Sequence, residues 1–110
     1  MASIITLTGA DKAIEAGRAK AGAALASVES SQAKARASVL FGAPTKDLAG
    51  AVQPGAPMFG IESGFRDTLA FVGGGVPVTD SEGRLIGAIG VGGGYPDQDN
   101  EIAEAVNHAL

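Results

Sequence analysis

Two glycine clusters and one carboxylate carry the most chemistry in this chain. Gly92-Gly93-Gly94 leads through Tyr95-Pro96-Asp97 into a segment with helical patterning. Pro96 suits the first helical turn, where a missing N–H costs nothing. A helix start presents backbone N–H groups that no helical partner takes, and glycines let the backbone approach what those groups hold. The expectation is a cradle for a carboxylate, with Gly92, Gly93 and Gly94 as ligand-binding positions. The ordinary alternative is a tight strand-to-helix turn in which Asp97 or Asp99 fills the cap itself. Asp99 is placed to act as a general base or to orient a ligand over a pocket. It would equally serve as favourable charge on the helix dipole. Gly73-Gly74-Gly75 precedes a strand pattern, so Gly74 and Gly75 could close over the same pocket or form a loop with a bulge.

Other polar groups are less organised. Glu62 and Arg66 lie in a loop and could reach a substrate, although loop charges are usually solvated. Lys34 and Arg36 share a helical segment whose ordinary reading is a solvated face. His108 is the single histidine and falls in the last turn of the final helical pattern. A surface histidine is its simplest reading. No metal motif, Ser-His-Asp set or phosphate loop is present, and no Gly-x-Gly-x-x-Gly stands in a strand-to-helix context.

Composition narrows the class. The 110 residues make one domain spanning 1–110. There are 17 glycines and only five aromatic residues, four Phe and one Tyr, so a core of Ala, Val, Ile and Leu would be thin and is expected to need a homo-oligomer. The formal charge of −4, with scattered basic residues, argues against nucleic acid. Without cysteine, disulfides and thiolate metal sites are excluded. No apolar run is long enough to cross a membrane. No signal peptide is evident, so cytoplasmic localisation is expected.

Periodicity supplies the elements. Ile4, Ile5 and Leu7 precede Thr8, and Thr8 with Asp11 resembles a capping box opening a helix over 9–25. Ala33, Ala37, Leu40 and Phe41 mark a second helix over about 28–41, ended by Gly42. Thr45 should cap a short third helix. Val52 to Gly64, rich in Pro and Gly, reads as a loop, and Leu69 to Val72 as a strand. Val76–Thr79, the turn Asp80-Ser81-Glu82-Gly83 and Leu85–Val91 form a β-hairpin. Its second strand alternates Leu85, Gly87, Ile89 and Val91 with a small face of Ile86, Ala88 and Gly90, against which a helix or ligand could lie close. The last helix should run over 97–109 with Ile102, Ala105, Val106 and Ala109 inward.

Several of these pieces taken as a set resemble the GlcG/HbpS-like (DUF336, haem-degrading) family. They are Lys34-Ala35-Arg36-Ala37, Leu40-Phe41-Gly42-Ala43-Pro44-Thr45, Gly74-Gly75-Val76-Pro77-Val78, Asp80 with Gly83, Gly87-Ala88-Ile89-Gly90-Val91, Gly93-Gly94 and Gln98-Asp99. The resemblance covers 28–110, more weakly the first helix. It implies an α/β (α+β) profilin-like fold, an antiparallel sheet packed against helices, assembled into dimers or larger rings. Members usually carry a two-strand hairpin between the first helix and the Lys-Ala-Arg helix, which is missing here. The sheet is therefore expected to shrink to about three strands. The first two helices should join by a tight turn near Ser27 or fuse into one of about 33 residues, roughly 50 Å long.

The resemblance also implies a function. In the family pattern the basic pair Lys34 and Arg36 lies beside the glycine loops, so Lys34 would meet an anionic ligand or Asp99. The leading expectation is a binding protein for haem, another tetrapyrrole or a small carboxylated metabolite. Lys34, Arg36, Gly74, Gly75, Gly92, Gly93, Gly94 and Phe59 would be its ligand-binding residues, with Phe65 and Phe71 adding apolar contacts. Haem is the one cofactor implied, and no protein metal site is expected; for its iron, His108 across an oligomer interface, Tyr95 and Met58 are the conceivable axial ligands, although a surface histidine is the simpler reading of His108. One alternative is a cofactor-free isomerase, lyase or hydrolase with Asp99 as acid–base and Lys34 as electrostatic stabiliser. Another is a structural oligomer that has lost its ligand.

Overall fold

The computed structural model describes residues 3–5 and 25–110. Strand β1 is Ser3–Ile5, followed among the described residues by helix α1, Leu25–Phe41, and the short helix α2, Thr45–Leu48. Two 3-10 turns, Ala49–Val52 and Ile61–Gly64, shape the loop that follows. Strands β2 (Gly75–Thr79) and β3 (Leu85–Gly90) form the hairpin, and helix α3 (Pro96–Ala109) closes the fold.

The hairpin forms where alternation placed it. Val76 pairs with Ile89, Pro77 with Ala88 and Val78 with Gly87 in an antiparallel register. Thr79 pairs with Leu85, so Ile86 is an extra residue on β3 that bulges the ladder beside the turn. The carboxylate of Asp80 organises that turn by accepting from the N–H groups of Glu82 and Arg84 at 2.8 and 3.0 Å. Gly83 supplies the positive φ of +80° that the turn requires.

Among the described residues the sheet has three strands in the order β1-β3-β2. It is mixed, because β1 runs parallel to β3, with Ser3 opposite Gly87 and Ile5 opposite Ile89. A helix packs on each face. On one side Val76, Val78, Ile89 and Val91 meet Ala103, Val106 and Ile102 of α3. Each buried Val or Ile there contributes about 1.5–3 kcal/mol through removal from water.

On the other side lies α1, against the small face of the hairpin. Gly75 and Gly90 stand opposite each other across the strands. A Cβ on Gly90 would collide with the Ser31 carbonyl oxygen, and one on Gly75 with the Lys34 carbonyl oxygen. These two glycines bring the helix backbone onto the sheet. The helix face that fits there is Ser31, Lys34, Ala35 and Ser38, all buried. A second, smaller core forms beside α1, where Ala37, Leu69 and Phe71 pack with Phe41, Leu48, Ile61 and Phe65. Phe41 meets Phe65 and Phe71 edge-to-face at 5.8 and 5.7 Å.

Five expectations need correction. Leu69–Val72 is not a strand. Its residues strap along α1, with the Ala70 N–H donating to the Ala33 carbonyl at 3.3 Å, and bury Leu69 and Phe71 in the small core. Thr45 makes no side-chain cap on α2; its hydroxyl is drawn to Val72 and Gly75 instead. Leu40 is exposed, because the stripe Ala33–Ala37–Phe41 faces the small core and leaves it to one side. Ala105 and Ala109 are also exposed, because α3 buries the face Asp99–Ala103–Val106. Of the two joins expected for the first helices, a tight turn near Ser27 is not the one taken, because Ser27 lies inside α1. The expected first helix falls on residues outside those described, apart from Leu25.

Candidate functional site

The residues of the predicted cradle converge where α1, the end of β3 and the start of α3 meet. Lys34 projects from the sheet-facing side of α1 and is only 3% exposed; Asp99, in the first turn of α3, is 2% exposed. The Lys34 Nζ donates to Asp99 Oδ2 at 2.9 Å and to the Val91 carbonyl at 3.0 Å. The other carboxylate oxygen, Asp99 Oδ1, accepts from the Gly94 N–H at 3.0 Å. Both oxygens of Asp99 are thus engaged from within the chain.

The glycines fit this pair sterically. A Cβ on Gly74 would lie 2.8 and 2.9 Å from Lys34 Cδ and Nζ, so the lysine passes directly beneath a residue without a side chain. A Cβ on Gly94 would lie 2.9 Å from Asp99 Oδ1. Gly73 packs as tightly on α3, its virtual Cβ 2.7 Å from the Pro96 carbonyl oxygen. Gly73, Gly74, Gly75 and Gly92 are buried, while Gly93 and Gly94 are exposed.

Tyr95 follows on the outer side, 78% exposed at the N-cap of α3. The side chain of Gln98 reaches back to the Tyr95 N–H at 3.4 Å, so the helix start is partly capped from within.

The remaining candidates stand apart from this cluster. Arg36 points away from the sheet, and its Nε donates to the Thr68 carbonyl at 3.0 Å. Phe59 sits in the loop between the two 3-10 turns and is 64% exposed. Phe65 and Phe71 belong to the small aromatic core. Glu62, Arg66 and His108 are exposed. Among the described residues no three His, Cys, Asp or Glu side chains gather as a metal site, and no helix is long and apolar enough to cross a membrane.

Two polar residues in this region were not among the expected site residues: Thr45, read only as a helix cap and motif position, and Asn100. Thr45 is fully buried, and its Oγ1 accepts from the Gly75 N–H at 2.9 Å, fixing the mouth of the first glycine cluster. Asn100, 7% exposed, follows Asp99 and leans on Gly73; its Oδ1 is buried without a partner. Neither carries a spacing signal, because both are placed by neighbours remote in the chain.

The chain is similar in sequence and fold to known proteins. The corrinoid adenosyltransferase PduO of Citrobacter freundii is 39% identical over 88 residues, 80% of this chain. The chain spans 26% of the length of that relative. The crystal structure of a PduOC–haem complex superposes with a TM-score of 0.76 at 26% identity, over 96% of each chain. The crystal structure of HbpS superposes at 0.74 with 28% identity, over all of this chain and 94% of that one. The family model described as "Haem degrading protein HbpS-like" matches residues 3–107, and the chain belongs to this HbpS-like family.

Proposed function

We propose that this chain is a tetrapyrrole-binding module, with haem as the first ligand to test. The observation that carries the reading is the agreement of fold with the PduOC–haem complex over nearly the whole of both chains. The described residues suit a planar ligand with acidic substituents. Exposed Gly93 and Gly94 allow close backbone approach beside the start of α3, and Tyr95 offers an exposed aromatic ring at the same edge. The Tyr95 phenol is also a type of group that haem iron accepts as a ligand. Bound haem would supply redox-active iron; the residues of the chain would supply the face and its orientation. Phe59, exposed on a separate loop, is a further candidate for apolar contact.

A titration with hemin tests this. A Soret band that shifts and saturates at a fixed ratio to protein supports the reading. Tyr95→Ala should then weaken binding with unfolding unchanged, because the side chain is exposed. A spectrum equal to that of free hemin at every ratio rejects it.

A second reading, a structural module without a ligand, is favoured by one observation. Gly73–Gly75 is closed down on Lys34, Val91 and Pro96. It predicts no Soret change and no response to other planar anions.

A further inference from the structure

We propose that Lys34 and Asp99 are a positioning pair, setting the Gly92–Gly94 backbone from behind while the ligand is taken on the outer side of the loop and touches neither charge. The inference rests on the tetrapyrrole reading for the ligand, but not for the lock itself.

The lock is visible in which atoms the pair holds. Lys34 Nζ binds the carbonyl of Val91, which enters the loop, and Asp99 Oδ1 binds the N–H of Gly94, which ends it. One ion pair of 2.9 Å therefore ties both ends of a three-residue loop. At the centre Gly93 has φ +106°, a conformation that only glycine adopts without strain. A loop fixed at both ends and free of side chains presents one backbone shape.

The same contacts keep the pair from a ligand. Both carboxylate oxygens of Asp99 and two of the three Lys34 ammonium protons are engaged. Gly74 covers Nζ closely from above. Each charge has its counter-charge at contact distance, so the pair offers little net field to an approaching anion. This separates a positioning role from the direct electrostatic contact that the sequence suggested for Lys34.

Three variants test the proposal by two readouts. Lys34→Met removes the ammonium and its hold on Val91. The double variant Lys34→Met/Asp99→Asn removes both charges but keeps an oxygen for the Gly94 N–H. Gly94→Ala pushes Asp99 aside without altering either charge. The first readout is amide hydrogen exchange at Gly94 in the ligand-free protein. Lys34→Met and Gly94→Ala should exchange about tenfold faster or more, as expected for loss of a charge-assisted hydrogen bond. The double variant should recover much of the protection.

The second readout is hemin affinity with its salt dependence. The double variant should bind within about threefold of the wild type with the same salt slope, while Gly94→Ala should weaken binding about tenfold. Equal loss in both Lys34 variants, with a flattened salt slope, would overturn the proposal by showing that Lys34 meets the ligand. Unaltered Gly94 exchange in all three variants would overturn it as well. A wild type that does not bind hemin, but whose Gly94 exchange responds as described, rejects the tetrapyrrole reading and leaves the lock standing.

Discussion

The buried pair dominates at the scale of single residues. A lone charge left in the position of Lys34 or Asp99 would have no counter-ion and almost no water. Removing one partner of such a pair costs about 3–5 kcal/mol, whereas apolar replacement of both is often neutral. Lys34→Met alone should lower the unfolding free energy by that amount in a denaturant titration, and Lys34→Met/Asp99→Leu should recover most of it. Polarity is fixed too. Val91 offers an acceptor on the lysine side and Gly94 a donor on the aspartate side. The exchange Lys34→Asp/Asp99→Lys would set carboxylate against carbonyl and ammonium against N–H. We expect it to remain as unstable as the worse single variant, and recovery to wild-type stability would show that the backbone groups contribute little. Gly90→Ala belongs at this scale as well. Its new Cβ meets the helix backbone at Ser31, which cannot swing aside as a side chain would. Overpacking of this kind costs about 1–3 kcal/mol and occasionally more.

Among the elements, the hairpin turn carries a pH signature. The backbone N–H of Arg84 donates to the Asp80 carboxylate and holds its pKa below the usual 3.8; partial loss of water opposes this, and the Arg84 guanidinium and the Glu82 N–H lower it further. A carboxylate lowered in the folded state stabilises fully above its unfolded pKa and loses that contribution as pH falls through the folded one. Asp80→Asn keeps an oxygen for the two N–H groups but has no charge to lose. Its stability deficit against the wild type should therefore be constant near neutral pH and shrink below 3.8. Thermal melts of both proteins across an acid series check this; a deficit that stays constant down to the lowest pH would remove charge from the account of the turn.

The elements also separate what the sequence made legible from what it did not. The hairpin and α3 could be read because alternation and Pro96 are local signals. The C-terminus of α1 could be read from Gly42, whose φ of +65° ends the helix as expected. The way α1 meets the sheet was hidden, because its buried face consists of Ser31, Lys34 and Ser38 with Ala35 as the one small apolar residue. A hydrophobic period cannot find a face built for closeness, where glycines on the strands and small or paired polar residues on the helix replace bulk. Leu69–Val72 misled for the opposite reason: apolar residues in a strand-like run were buried by a small core beside α1, with no neighbouring strand to pair them. In the candidate site, the residue types Lys34, Asp99, Gly74 and Gly94 were legible. That the charges would satisfy each other was only one of two alternatives, since the decision depends on distances that span 65 residues of chain.

At the scale of the whole molecule, the three described strands raise the matter of the sheet's edges. The thin core predicted a homo-oligomer, and an open sheet edge is one place where copies of a chain can pair. On the β2 side the fold has its own solution. The Val91 N–H donates to the Gly74 carbonyl, so Gly75 and Gly90 form a non-hydrogen-bonded pair, as do Pro77 and Ala88 two residues on. The backbone groups of Gly75 and Pro77 therefore face outward. Thr45 takes the N–H of Gly75, and Pro77 has no N–H to offer. An approaching strand would find one donor occupied and the next absent. Assembly by this chain should thus leave the β2 edge alone. Thr79→Lys, a charge placed on the same edge, should not change the mass found by light scattering over a concentration series. Pro77→Val restores an outward donor on a β-branched residue and should raise self-association as concentration rises. Dissociation of an assembly by Thr79→Lys, with no effect of Pro77→Val, would instead place the interface on β2 and reverse the argument.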